Sequence, residues 1–586
     1  MKKLLLIVLS CVLSFSIVGC QNNELKEQQA FDEFMQKIFV EAMEEDYVTA
    51  HCYLENPEDF GVDLSQTKVG LGTYFDEESL DEDSSEFELT YKEFQKFDRN
   101  LLTEEQQDIY NTYEYQNTIN EKLNNEKFDY YSNLFESLSG LHYQIPSLLA
   151  DWQIRNEEDV KNLILIVKDV LPYINSALSY TEKQEEKGLL MLDLDSIIEY
   201  CQTIVDKGTK STILSSMKKS IEELSLDQQK TIQYQKQITE AFQTSFIPAY
   251  QNIIKTMKDF QKTGKNNTEG LTKFKEGKEY YSLLLQNSIG TTKSVSEVKK
   301  MMEDNCNQHL KKMMNILIAN PDIMTIAMTN DFPSTKYKSY QQILDDNKDN
   351  IKNDFPKVNN LRYHIEDINE EIASNSGVSA YFNIPTIDGD SIKQLRVNPK
   401  GNDINTIDTY TTVSHEGFPG HMYQYAYMYE NVDSLYIKSL ANVLAYTEGY
   451  ATYAQYESLK YLDIDQEVLE LYKENELAIY SAIIVCDIGI HYEGWSIDKL
   501  KDYLSSVGFS LDEDSAKKQY YQLQANPVAF EPYYVGYYEI DLLKENAKKE
   551  LGNQFNELKF NQALLESGTA PFSVVERHIQ KYINSK

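Results

Sequence analysis

From Glu24 to about Asn330 the apolar residues recur at three- and four-residue steps. In Glu157 to Leu171 the set Val160, Leu163, Ile164, Val167, Val170 and Leu171 keeps that spacing, which predicts an amphipathic helix. Pro172 is expected to end or kink it. Breaks are sparse: Asn56-Pro57 and Gly264 to Asn267 are the clearest, with Gly290 a weaker one. No fixed-period repeat is present, and residues 20–330 read as a helical scaffold. Between Phe355 and Pro399 the period shortens. Ser379 to Ile384 and Ser391 to Asn398 flank Asp388-Gly389, which predicts a β-hairpin within a small β element over 355–399. From Asp403 helical periodicity returns almost to the C-terminus, broken near Asn526-Pro527 and Glu531-Pro532. The expected fold is mostly α, with residues 331–586 forming a second helical region that carries the chemistry and packs with the first as one body.

The N-terminus has a different pattern. Lys2-Lys3 precede an apolar run from Leu4 to Val18, interrupted only by Ser10, Cys11, Ser14 and Ser16, which is the pattern of a signal peptide over residues 1–19. The sequence Ile17-Val18-Gly19-Cys20 resembles the lipobox of bacterial lipoproteins. That resemblance implies lipidation of Cys20 and a place on the extracytoplasmic face of a bacterial cell membrane, held only by the lipid. Nothing after Gln21 approaches 18 uninterrupted apolar residues.

In its 586 residues, 41% apolar and 12% aromatic, the chain has material for a large core. Its net charge of -37 repels phosphates, so nucleic acid is excluded as a partner. Only five of 56 basic residues are arginines (Arg99, Arg155, Arg362, Arg396 and Arg577), each a candidate for bidentate work that lysine does less well. Cys52, Cys201, Cys306 and Cys486 are too scattered for a metal knuckle and are expected to be free thiols.

The chemistry gathers at His415-Glu416-Gly417-Phe418-Pro419-Gly420-His421. Zinc proteases commonly space two histidines four residues apart on one helix face, with a glutamate beside the first. Here the separation is six, and six steps of about 100° place His421 roughly 120° from His415 on an ideal helix. Gly417, Pro419 and Gly420 allow the break that would bring the imidazoles together. A third ligand is needed, and Glu448 lies among apolar and aromatic residues with Gly449 beside it for close helix approach. Periodicity alone leaves Glu448 equally an ordinary surface carboxylate.

These blocks resemble the bacterial proteins grouped as domain of unknown function 885, whose hallmark is His-Glu-Gly-x-Pro-Gly-His followed by Glu-Gly-Trp-Ala. Glu448-Gly449-Tyr450-Ala451 is similar to the second block, with Tyr450 where Trp is usual. Asp487 to His491 with Trp495, Tyr533 to Gly536, and Leu551 to Gly568 extend the likeness. Phe560-Asn561-Gln562 and Gln524 depart from it, where Phe-His-Asp and an Arg are usual. That family is similar in turn to helical zinc metallopeptidases of gluzincin type. The resemblance implies a two-lobed, clamshell-like helical body with one Zn2+ on His415, His421 and Glu448. Glu416 would be the general base, and His491 and Tyr533 would be the oxyanion donors. Against that, a lone histidine in such an apolar run is more often a core residue, here paired with Asp487, and any single one of 43 tyrosines is usually packing, so only its place in the Tyr533-to-Gly536 block raises Tyr533. Arg396 and Asn398, on the expected hairpin, are candidate substrate-binding residues, Arg396 as a clamp for a carboxylate. The expected function is a zinc-dependent metallohydrolase cleaving short peptides. The alternatives are a non-catalytic ligand-binding surface lipoprotein and a zinc hydrolase of non-peptide esters or amides.

Overall fold

The computed structural model describes residues 2–585 apart from 375–377, 390–391 and 402, and side chains apart from those of residues 2–22 and 82–83. The expectations for Cys20 and for the side chains of the leader therefore lie outside the described residues.

The chain is mostly α with one small sheet. The elements that build and flank the site are α1 (Tyr47–Tyr53), α2 (Leu141–Ala150), α3 (Glu157–Lys187), β1 (Tyr363–Asp367), β2 (Ala380–Asn383), β3 (Lys393–Val397), α4 (Ile407–Glu416), α5 (His421–Asn431), α6 (Leu444–Ser458), α7 (Gln466–Ile488) and α8 (Glu531–Leu551).

α3 shows how local signals set the limits of these elements. Asn156 and Asp159 form a reciprocal capping box at its start, and Gly188 closes it in the left-handed conformation at φ 73°. Of the two outcomes expected at Pro172, ending or kinking, the first does not occur: the helix continues through the proline. Its missing N–H leaves the Lys168 carbonyl without its helical partner, and the Ser245 hydroxyl donates to that oxygen at 2.8 Å. α3 is the one helix among the described residues with the length and composition of a membrane span, and its apolar face is buried inside the protein. The expected break near Asn526-Pro527 and Glu531-Pro532 is present, between a helix that ends at Ala525 and α8, whose first turn holds Pro532, where no N–H is needed.

Two large apolar clusters form the core. One draws on α3 and neighbouring helices through residues such as Leu163, Val167, Ile197, Tyr200 and Met257. The other joins Tyr281 and Leu285 to Leu395, Val413, Tyr450, Ile484 and Val535. The sheet lies where they meet: Leu395 and Val397 belong to the second cluster, while Ile368 and Tyr381 pack with the first.

The strand order is β1-β3-β2, with β1 parallel and β2 antiparallel to β3. The antiparallel pairing of β2 and β3 is the expected one, but Asp388-Gly389 does not make a tight turn between them. The Asp388 carboxylate instead accepts the N–H groups of Glu55 and Asn56, each at 2.8 Å, and the Ile387 N–H donates to the Tyr53 carbonyl. These contacts draw the connection away to the C-terminal end of α1. The register puts Gln394 opposite His364 and Asn383, and Arg396 opposite Glu366 and Tyr381, giving the sheet one polar face. Cys52, Cys201, Cys306 and Cys486 are all unpaired.

Candidate metal centre

α4 starts at the Thr406 cap and ends at Glu416, and α5 begins at His421. The sixfold spacing is thus resolved by a complete break, with the first histidine in the last turn of one helix and the second opening the next. The Gly417 N–H still reaches Val413, the Gly420 N–H reaches back to Ser414, and the Gly417 carbonyl receives the Tyr423 N–H. A Cβ at Gly420 would stand 1.8 Å from the His415 carbonyl oxygen, so only glycine fits there. Side chains hold the link from outside. Asn347 Nδ2 donates to Ser414 Oγ at 2.9 Å and to the Phe418 carbonyl at 2.8 Å, and Tyr450 donates to the Pro419 carbonyl at 3.0 Å. Tyr450, the departure from the usual Trp, therefore ties the motif with its hydroxyl.

α6 delivers Glu448 and crosses α8 at Gly449 and Gly536. A Cβ at Gly449 would lie 2.4 Å from the Gly536 carbonyl carbon, and one at Gly536 would lie 2.0 Å from the Ala445 oxygen. This contact brings Glu448 and Tyr533, each next to or near a glycine of the pair, to the same centre.

One ligand atom each from His415, His421 and Glu448 lie within 4.8 Å of one another. Glu448 Oε2 is 3.4 Å from His415 Nε2 and 3.2 Å from His421 Nε2. Bonds of about 2.0–2.1 Å to a tetrahedral ion separate its ligand atoms by about 3.3 Å, so these residues fit zinc. His415 Nδ1 lies 2.8 Å from Gln455 Oε1, and His421 Nδ1 lies 3.3 Å from Gln424 Oε1. An amide oxygen only accepts, so each Nδ1 carries a proton and each Nε2 turns toward Glu448, as the nitrogen an ion would take.

Charge supports the same arrangement. Burial would raise the Glu448 carboxyl, yet His421 and His415 hold it well below the ordinary carboxylate range. Burial would lower His421, but Glu448 raises it to about 9, so without an ion this imidazole is protonated on Nε2 as well, a proton that a metal would displace. Glu416 points into the same surroundings: Phe382, on the outer edge of β2, donates its N–H to Glu416 Oε2 at 3.0 Å. Burial raises this carboxyl against the pull of His415 and His421. Tyr533 stacks on His415 with centroids 5.9 Å apart, and the Glu448 charge followed by burial raises its phenol well above the ordinary range. It stays a proton donor.

The other sequence candidates sit elsewhere. His491 is fully buried, accepts the Leu271 N–H at Nδ1 and meets the Leu523 carbonyl at Nε2, so both nitrogens are spent on backbone. Arg396 is held by Asp151 and Glu366 and is not a free clamp. The Asn398 amide spans the Val378 carbonyl and the Lys400 N–H, a loop tie. Gln524 and Asn561 are ties as well, to the Asn267 and Glu269 carbonyls and to the Asp354 carbonyl. Gln455 escaped the sequence reading although a signal existed: it stands seven residues after Glu448, hence on the same helix face. No sequence signal pointed to the Phe382 N–H.

A family described as bacterial protein of unknown function (DUF885) matches residues 64–579. The chain belongs to this family. Among solved structures, a "putative lipoprotein" from Colwellia psychrerythraea is 16% identical with a TM-score of 0.81, the match covering 96% of this chain and 100% of that one. A "putative lipoprotein of unknown function" from Shewanella oneidensis is 14% identical with a TM-score of 0.60, covering 94% and 99%. Both share the fold of this DUF885 protein. No curated protein matches it.

Proposed function

We propose that this DUF885 protein is a zinc-dependent hydrolase of gluzincin type that cleaves short peptides, anchored by lipid on Cys20 to the extracytoplasmic face of a bacterial membrane. The observation that carries the reading is the convergence of His415, His421 and Glu448, with the half-buried Glu416 beside them. A pure binder has no evident need for that second carboxylate. An ion held by the three ligands would supply Lewis-acid polarisation and lower the pKa of bound water. Glu416, fixed at one oxygen by Phe382, keeps the other to take a proton from the attacking water and return it to the leaving amine. Tyr533 donates to negative charge developing on the substrate oxygen. The ligand side chains are only 10% and 20% exposed, which favours extended short chains over folded proteins. The sequence Ile17 to Cys20 and the lipoprotein names of both structural relatives support the anchor.

The test is digestion of a mixture of peptides of about five to ten residues beside a folded protein, with metal analysis and with or without a chelator. Chelator-sensitive cleavage of the peptides alone is the expected result. No cleavage by protein loaded with one zinc per chain would overturn the reading.

A further inference from the structure

The three strands turn their polar face toward the segment joining α2 to α3. Between them lies a cavity of about 500 Å³, walled by Tyr381, Asn383 and residues 384–386 on one side and by Trp152, Arg155 and Gln144 on the other. A second space of about 300 Å³ continues past Asp151, Trp152 and Gln394. None of the metal-site residues lines either space, but β2 belongs to both settings. Phe382 gives its N–H to Glu416, and the residues on either side of it wall the cavity. At about 3.3 Å per residue, the wall lies within a few residues of the proposed base.

Two groups in this wall have unmet binding capacity. Trp152 is 5% exposed, lies flat against His51 with ring centroids 4.0 Å apart, and its buried indole N–H has no hydrogen-bond partner among the described residues. Arg155 donates to the Leu54 carbonyl at 3.2 Å and to the His51 carbonyl at 2.9 Å. Those contacts cap the end of α1 and fix the guanidinium plane, but they bring no negative charge. Asp159, the nearby carboxylate, is occupied by the Arg155 and Asn156 N–H groups. No ion pair joins it to the guanidinium. By contrast Arg396, across the sheet face, is paired with Asp151 and Glu366. Burial and the neighbouring Arg155 lower His51 to about 3, so the imidazole between them stays neutral. Glu55, a carboxylate of the wall, is exposed at its rim and is held by Thr386. A fixed, charged fork that lines the same cavity as an orphan N–H matches a carboxylate.

We propose that Arg155 is the carboxylate-binding residue of a substrate subsite in this cavity, gripping a carboxylate of a peptide that runs past β2. The peptide class rests on the reading of the metal centre above. The carboxylate itself comes either from a free C-terminus or from an acidic side chain, and the probes separate the two.

The chain has two tryptophans, so replacing Trp495 by Phe leaves Trp152 as the single indole reporter in the cavity wall. In that background, with Glu416→Gln added to keep peptides intact, pentapeptides are titrated against Trp152 fluorescence. Four probes are used: free-acid or amidated at the C-terminus, each with a glutamate or a glutamine side chain. Removing the gripped carboxylate should weaken binding roughly 10- to 100-fold. Arg155→Gln should abolish that preference, and Arg155→Lys should keep part of it. If Arg155→Gln fails to fold, Gln144→Glu places a negative charge in the same wall and should weaken only the probes carrying the recognised carboxylate. Equal binding of all four probes, or a preference that survives both Arg155→Gln and Gln144→Glu, overturns the proposal. Peptide cleavage with no dependence on Arg155 would overturn the subsite and leave the peptidase. A carboxylate-dependent Trp152 signal in a zinc-loaded protein that cleaves nothing would do the reverse.

Discussion

The Gln455 amide does little that a sequence would advertise, yet it fixes which nitrogen of His415 faces Glu448 and the proposed metal position. Gln455→Leu should keep the fold and weaken zinc binding about 10- to 100-fold, measured by competition with a chromophoric chelator. Glu416→Gln should act in the opposite sense, retaining zinc stoichiometry while lowering kcat by roughly two orders of magnitude or more. Loss of metal together with activity would instead make Glu416 a ligand. His415, Glu416 and His421 stood out by residue type and countable spacing, and Gly417, Pro419 and Gly420 as a break, whereas Glu448, which periodicity left equally a surface carboxylate, was picked out by the family resemblance. Arg396 and His491 were legible as reactive types but not in their employment. Whether a guanidinium or an imidazole is free depends on partners hundreds of residues away, Asp151 for one and Leu271 for the other.

Among elements, the crossing of α6 and α8 is the joint on which the centre depends. Gly449→Ala would press a methyl to 2.4 Å from the Gly536 backbone, costing about 1–3 kcal/mol or more and separating Glu448 from Tyr533. A lower Tm together with weaker zinc binding is expected, where a remote core substitution would lower Tm alone. On α7, burial, with Asp408 adding to it, raises Glu476 to about 7. A carboxyl so raised binds more protons folded than unfolded, so stability falls as pH climbs from about 4.5 to 7, by on the order of 3 kcal/mol, and is level above. Glu476→Gln should therefore melt above the parent at pH of about 8 and equal to it at pH of about 4, read by calorimetry. The helices were readable because periodicity and caps are local. The course of α3 through Pro172 was not, since the hydroxyl that relieves it comes from Ser245, and the Asp388-Gly389 turn gave way to N–H groups just past the end of α1.

At the scale of the molecule, a body carrying -37 has no electrostatic reason to stay on an anionic membrane. Cys20→Ala should move the protein from the membrane to the soluble fraction after a salt wash, and retention would count against lipid anchoring. The mostly α class was legible from periodicity, but the meeting of the two cores at the sheet was not, since its links join residues far apart in the chain. Those links also impose an order in time. Asp151 waits for Arg396, and the end of α1 waits for Asp388. At about 5–20 residues per second the ribosome needs roughly 12–50 s to travel from residue 155 to residue 397. Throughout that interval the N-terminal half holds Asp151 and the end of α1 without the sheet that completes them. The newborn chain therefore passes through a window in which a protease or a chaperone meets a half-built cavity wall, and that window closes only when the third strand arrives.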